Sequence, residues 1–222
     1  MMNKLNFAIF ILMLSLTQVF ALSLDEVFEN QKKAAFPDTC ELKMRTTVTL
    51  LGKNPQIVDV NVINAGDTKS LMTVKSQVMQ MQIVQNEGRI KVTDIKTGQT
   101  LPAQNIPTRN PNDISKQMGS PKDYNAPVKE NGLWKITPKD LAKPTLYYST
   151  KSKRVVKMKF VVNGADVESL FEYCDKTCAL PGTLKKVTIT TKQNASETSK
   201  VVMDVLLAKK RYVLPSGMFE VE

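Results

Sequence analysis

The 222-residue chain has no histidine and only three cysteines, against 31 lysines and arginines and 21 acidic residues. Without imidazole, the usual general base near neutral pH is missing, which excludes histidine-dependent serine or cysteine triads and histidine-containing zinc sites. A glycine-rich phosphate loop, an EF-hand loop and a nucleophile elbow are also missing. Glu168 and Glu172 flank Leu170 and Phe171 without the spacing of an acid–base pair. No catalytic residue, cofactor or metal is expected. Internal repeats, heptads and low-complexity tracts are absent too, and the length suits one domain with a real core or an enclosed cavity.

Long hydrophobic runs are confined to the start. Met1 to Lys4 is short and basic, Leu5 to Val19 is apolar, and Val19-Phe20-Ala21 offers small residues at the outer positions of a signal-peptidase site. The run is shorter than the ~20 residues of a spanning helix. Residues 1–21 are therefore expected to be a leader cleaved after Ala21, with 22–222 as a single soluble, exported domain. No cysteine follows the cut, so a lipobox is absent. The net charge of +10 falls by one with loss of Lys4. In an exported chain that charge suits anionic envelope surfaces better than nucleic acid.

Ser23 and Glu26 have capping-box spacing, and Leu24, Val27, Phe28 and Gln31 share a helical face before Pro37, which predicts a helix over about 23–35. After Pro37 the period becomes two. Strands are expected over Cys40–Leu50, Ile57–Ile63, Ser70–Gln85 and Arg89–Ile95, separated by turn residues. The apolar positions change face between Val74 and Met79, which suggests a bulge near Ser76-Gln77 or a strand apolar on both faces. Residues 98–132 hold five of the eleven prolines and lose the pattern, as lids and binding loops do, with one or two helical turns at 112–118 capped by Asn112. Further strands are expected at Leu133–Ile136, Thr145–Tyr148, Val156–Val162, Val167–Cys174, Leu184–Lys192 and Val201–Val205, giving a barrel or a strongly curved antiparallel sheet.

Cys174 and Cys178 lie between two strands of an exported chain, where a structural disulfide worth less than ~3 kcal/mol is expected. Cys40 falls on the apolar side of its strand and reads as a small buried hydrophobe. Lysines recur at 151–159, 185–186 and 209–211; they fit a solvated sheet face, or a patch facing anionic lipid or an acidic partner. Asn194-Ala195-Ser196 is a glycosylation sequon. The methionine-bearing strands fit either ordinary core or a surface for flexible hydrocarbon.

This order of elements, with Ile136-Thr137-Pro138-Lys139 and the closing Pro215 to Val221, resembles the LolA-like family of periplasmic outer-membrane lipoprotein carriers and sorting proteins. The resemblance implies a mainly β (α+β) fold, an incomplete curved antiparallel β-barrel covered by the N-terminal helix and by a central lid over 98–132. It also implies a non-catalytic carrier, a monomer that binds acyl chains of lipoproteins or lipid and meets an inner-membrane donor and an outer-membrane acceptor. The cavity candidates are then Val27, Phe28, Met44, Met72, Val74, Met79, Met81, Ile83, Ile114, Met118, Trp134, Met158, Phe160 and Phe171. The family's arginine-proline latch after the second strand is not present, since that stretch reads Asn64-Ala65-Gly66-Asp67-Thr68-Lys69. The competing reading is an envelope interaction or sensor module with a filled core.

Overall fold

Alternating apolar and polar residues over most of the chain build a single antiparallel sheet of thirteen strands. The computed structural model describes residues 22–66, 68–102, 114–211 and 213–221. The expected leader, the Asp67 turn position and the Asn112 cap lie outside them.

The strands are β1 (Thr39–Leu50), β2 (Gln56–Ala65), β3 (Lys69–Ser76), β4 (Gln80–Asn86), β5 (Arg89–Asp94), β6 (Thr100–Leu101), β7 (Val128–Glu130), β8 (Leu133–Ile136), β9 (Thr145–Ser149), β10 (Arg154–Val162), β11 (Ala165–Tyr173), β12 (Leu184–Gln193) and β13 (Ser196–Lys210). Their spatial order, β6-β5-β4-β3-β2-β1-β13-β12-β11-β10-β9-β8-β7, is two meanders joined where β1 pairs with β13. The sheet stays open. Its edges, β6 and β7, are two and three residues long, which limits edge-to-edge pairing.

Extra residues in the ladders curl the sheet. Leu206 is squeezed out between the pairs Lys43–Leu207 and Met44–Val205, and Val156 between Val155–Tyr148 and Lys157–Tyr147. Such bulges bend a strand and increase its twist.

Two helices, α1 (Leu24–Lys32) and α2 (Ile114–Met118), cover one face, here the inner face. Ser23 precedes α1 in extended conformation, but its side chain makes no cap hydrogen bond, so the expected capping box does not form. Asp25 and Glu26 in the first turn and Lys32 in the last complement the helix dipole instead. Val27 and Phe28 of α1 pack with Cys40, Leu42, Met44, Val62, Leu146, Tyr148 and Met158 of the inner face. Each such apolar side chain contributes about 1.5–3 kcal/mol when fully buried.

Three further sequence expectations change. Ser70–Gln85 is a hairpin, not one strand: β3 and β4 are joined at Gln77-Val78-Met79, where the Met79 amide donates to Ser76 Oγ (3.1 Å). The turn, not a bulge, moves the apolar residues to the other parity. The 98–132 segment is partly sheet, since its described ends form β6 and β7. The last strand runs fifteen residues rather than five, because its ends are held by pairing with neighbours, Ser196 with Gln193 of β12 and Lys210 with Cys40 of β1, and not by an apolar alternation of their own.

Candidate functional site

The inner face is organised in cross-strand rows. Leu42, Val62, Met72, Ile83, Val92 and Leu101 lie side by side from β1 to β6, and Met44, Val60, Val74 and Met81 form the next row. The first row is mostly closed; in the second, Met44 is buried while Val60, Val74 and Met81 are half-buried. On β11–β13 the matching surface is Phe171, Val187, Ile189, Val201 and Met203.

Between that surface and α2 lies a cavity of about 160 Å³. Thr46, Ile114, Gln117, Ser169, Phe171, Leu184, Val187, Ile189, Val201 and Met203 line it, and none of these carries a charge. Its roof is lightly held. α2 buries Ile114 and Met118, and the Tyr124 hydroxyl donates to the Met118 carbonyl (2.8 Å), while the Tyr124 ring lies 5.7 Å from Phe28.

α1 is held more firmly, by a polar cluster where β10 and β11 part. The Val155 amide donates to Gln31 Oε1 (3.0 Å), Gln31 Nε2 donates to the Tyr173 hydroxyl (3.1 Å), and that hydroxyl donates to the Val155 carbonyl (2.7 Å). These side chains satisfy the backbone groups that Val155 cannot pair with β11, whose ladder with β10 begins at Lys157–Leu170. Asn30 donates to Tyr148 Oη (2.9 Å), and Arg154 Nη1 donates to the Asn30 carbonyl (2.9 Å). Burial pushes Tyr173 and Tyr124 up to about 12, so both remain neutral donors at physiological pH.

A larger cavity, about 800 Å³, opens beneath the 138–143 loop at the ends of β9–β12. Pro138, Leu141, Phe160, Val161 and Val167 share its lining with Lys143, Lys159, Lys192, Asp166 and Glu168. Lys159 is neutralised by Glu168 (3.1 Å), and Lys143 by Asp123 (2.6 Å).

The candidates named from the sequence therefore separate. Ile114 and Phe171 line the smaller cavity, and Phe160 the larger. Val27, Phe28, Met44, Ile83, Met118 and Met158 are buried among other side chains, and Trp134 and Met72 pack partly buried against them. Val74 and Met81 are half-open on the inner face. Met79 does not belong with them: it sits in the β3–β4 turn, 37% exposed. The missed lining residues Val187, Ile189, Val201 and Met203 were in recognised strands, and alternation alone would have placed them. Leu184 was masked by the bulge at Lys185, between Glu172–Lys186 and Tyr173–Leu184.

Cys174 and Cys178 are bridged, with Cα atoms 5.7 Å apart. Cys40 is buried and its thiol is pushed up by burial, the opposite of an activated nucleophile. On the outer face lysines pair across strands, as Lys186 does with Asp204 (3.8 Å), and Arg45 grips Asp59 through two bonds (2.8 and 3.1 Å). Among the described residues no group of three metal-ligating side chains converges, and no helix is long and apolar enough to cross a membrane.

No family model matches the sequence, and neither does any curated protein. Solved structures do. A LolA superfamily protein from Nitrosomonas europaea aligns over 90% of this chain and 99% of its own, with a TM-score of 0.60 at 15% identity. A putative outer membrane lipoprotein-sorting protein domain from Vibrio parahaemolyticus aligns over 89% and 95%, with 0.52 at 9% identity. A DUF1329 family protein from Desulfovibrio piger covers the same shares, with 0.50 at 11% identity. At these identities the likeness is one of fold.

Proposed function

Starting from a LolA-like fold, mostly β and built on one open antiparallel sheet, we propose that this chain is a non-catalytic carrier for the acyl chains of lipoproteins or lipid. In this reading residues 1–21 are a cleaved leader, 22–222 form one exported domain, and the ligand lies on the inner face beneath α1 and α2. The observation that carries the reading is the uncharged cavity under α2, beside inner-face residues that remain half-open. Apolar burial at ~25 cal/mol per Å2 would supply affinity.

Volume sets the mode of entry. A dry cavity of about 150 Å³ holds a benzene-sized solute, so the cavity as closed takes only a short stretch of chain. A longer chain requires α2 to lift, breaking the hydrogen bond from Tyr124 to Met118 and exposing Ile114 and Met118. The lid of this proposal is thus α2, while α1 remains fixed through Gln31 and Arg154. Val74, Met81, Ile114 and Phe171 are the contacts a chain would meet first, and Met118 and Met158 those it would meet after α2 lifts.

A packed interior favours a second reading, an interaction module with no transported ligand: Phe28, Met44 and Met118 already fill the space under α1. The two separate by experiment. Binding of a fluorescent fatty acid should be measured by titration for the native chain and for Ile189→Phe and Val201→Phe, which fill the cavity. The carrier reading expects at least tenfold weaker binding by the variants at unchanged melting temperature. Absence of binding by the native chain supports the module instead.

A further inference from the structure

The two ends of the sheet differ in a way that inner-face binding does not require. One end carries the turns β1–β2, β3–β4, β5–β6, β8–β9, β10–β11 and β12–β13; the other carries β2–β3, β4–β5, β7–β8, β9–β10 and β11–β12. At the first end, exposed large apolar residues occur at five of the six turns, among them Leu51 (74% exposed), Val78 (90%) and Leu141 (88%), with Ile95 and Val162 at two others. The turns of the second end present Glu87-Gly88, Asn131-Gly132, Lys151-Ser152-Lys153 and the disulfide loop; among their described residues none is a large exposed apolar one, and Val213 (79% exposed) lies at this end only in the tail that follows β13.

Exposed Leu and Val at turn tips are not needed for folding, because no packing or backbone geometry calls for them there. Single exposed apolar residues are ordinary on a surface; what sets this end apart is that five of its turns carry one, so that the tips can enter one interface together. Lysines stand between the tips: Lys53, Lys75, Lys96 and Lys192 are exposed and form no salt bridge among the described residues. Both ends of the sheet are basic, so charge alone does not select one. Apolar tips separated by free ammonium groups select the first end and fit a bilayer surface, where tips enter the interfacial zone and lysines meet anionic headgroups. A protein partner would instead be expected to favour a contiguous patch with aromatic or arginine anchors, and the tips are spread across turns from β5 to β11 with neither.

We propose that this rim of hairpin tips docks the protein on an anionic lipid surface. The proposal goes beyond the carrier reading and stands or falls separately from it, since no inner-face residue takes part. Leu141 and Val161 also line the larger cavity, which places its mouth at the docked rim.

The test is co-sedimentation of the purified chain with vesicles of phosphatidylglycerol and phosphatidylethanolamine, and with vesicles of phosphatidylcholine alone, at low and high salt. The proposal expects binding to the anionic vesicles that weakens with salt. The triple change Leu51→Ser, Val78→Ser, Leu141→Ser should weaken it at least tenfold at unchanged melting temperature, whereas Lys151→Glu with Lys153→Glu at the opposite end should keep at least half of it. In a Val78→Trp variant, brominated lipid should quench the new indole. Failure of the native chain to bind, binding by the triple variant equal to native, or a triple change that abolishes capture of a protein while vesicle binding is absent would each overturn it. Fatty-acid binding by the triple variant should remain native, which keeps this result distinct from failure of the carrier reading.

Discussion

At the scale of single residues, polar groups decide more than the sequence pattern reveals. Gln31 looked like one position on an amphipathic face, yet it is 2% exposed and bonds both the Val155 amide and Tyr173. Removing it strands buried partners. Gln31→Leu is expected to cost about 1–3 kcal/mol in urea denaturation, and Tyr173→Phe about 1 kcal/mol. Ala195 offers the reverse case. It holds φ at 65° in the β12–β13 turn beside Asn194 at 50°, a conformation that costs a side chain about 1–2 kcal/mol. Ala195→Gly is therefore expected to raise stability by about 0.5–1 kcal/mol, the gain being reduced by the looser unfolded chain.

Titration gives stability two limits at the same scale. Burial tends to raise the Glu41 carboxyl, but hydrogen bonds from Arg211 and Lys209 outweigh it and hold the carboxyl below its ordinary value. A depressed acid stabilises above its unfolded value and loses that contribution as pH falls through the folded one. Tyr173 and Tyr124 are raised to about 12 by burial, so their contribution is intact below pH 10 and is lost between about 10 and 12. Urea midpoints against pH should fall below about 4.5 and again above 10. Tyr173→Phe should flatten the alkaline limb, and Glu41→Gln the acid one.

Elements were legible where their period was uninterrupted. β1, β10 and β12 have clear alternation and were placed within a few residues. The short edge strands β6 and β7 were missed because two or three residues hold no period and their pairing is fixed by neighbours. The β3–β4 turn lacks glycine, proline or asparagine, so nothing local announced it. α1 was read correctly as a helix but for a wrong reason at its start, since Ser23 does not cap. The site was half legible: alternation located inner-face residues but could not tell those packed under α1 from those beside a void. The contrast between the two helices yields an expectation. Tyr124→Phe, which removes the hydrogen bond to Met118, should increase amide exchange in 114–118 with little effect on α1, as mass-resolved hydrogen exchange would record.

For the whole molecule, one sheet separates three surfaces. Its inner face is apolar and covered by helices, its outer face carries lysines paired across strands, and one rim presents apolar tips. The missing histidine excludes imidazole as a proton-transfer group. The carrier account turns on whether hydrocarbon occupies the inner face. The direct measurement is mass spectrometry of lipid extracted from the protein purified without detergent from its source cells. The account predicts a stoichiometric acyl-chain ligand that is lost from Val201→Phe. Protein free of lipid, with native and variant alike, would contradict it.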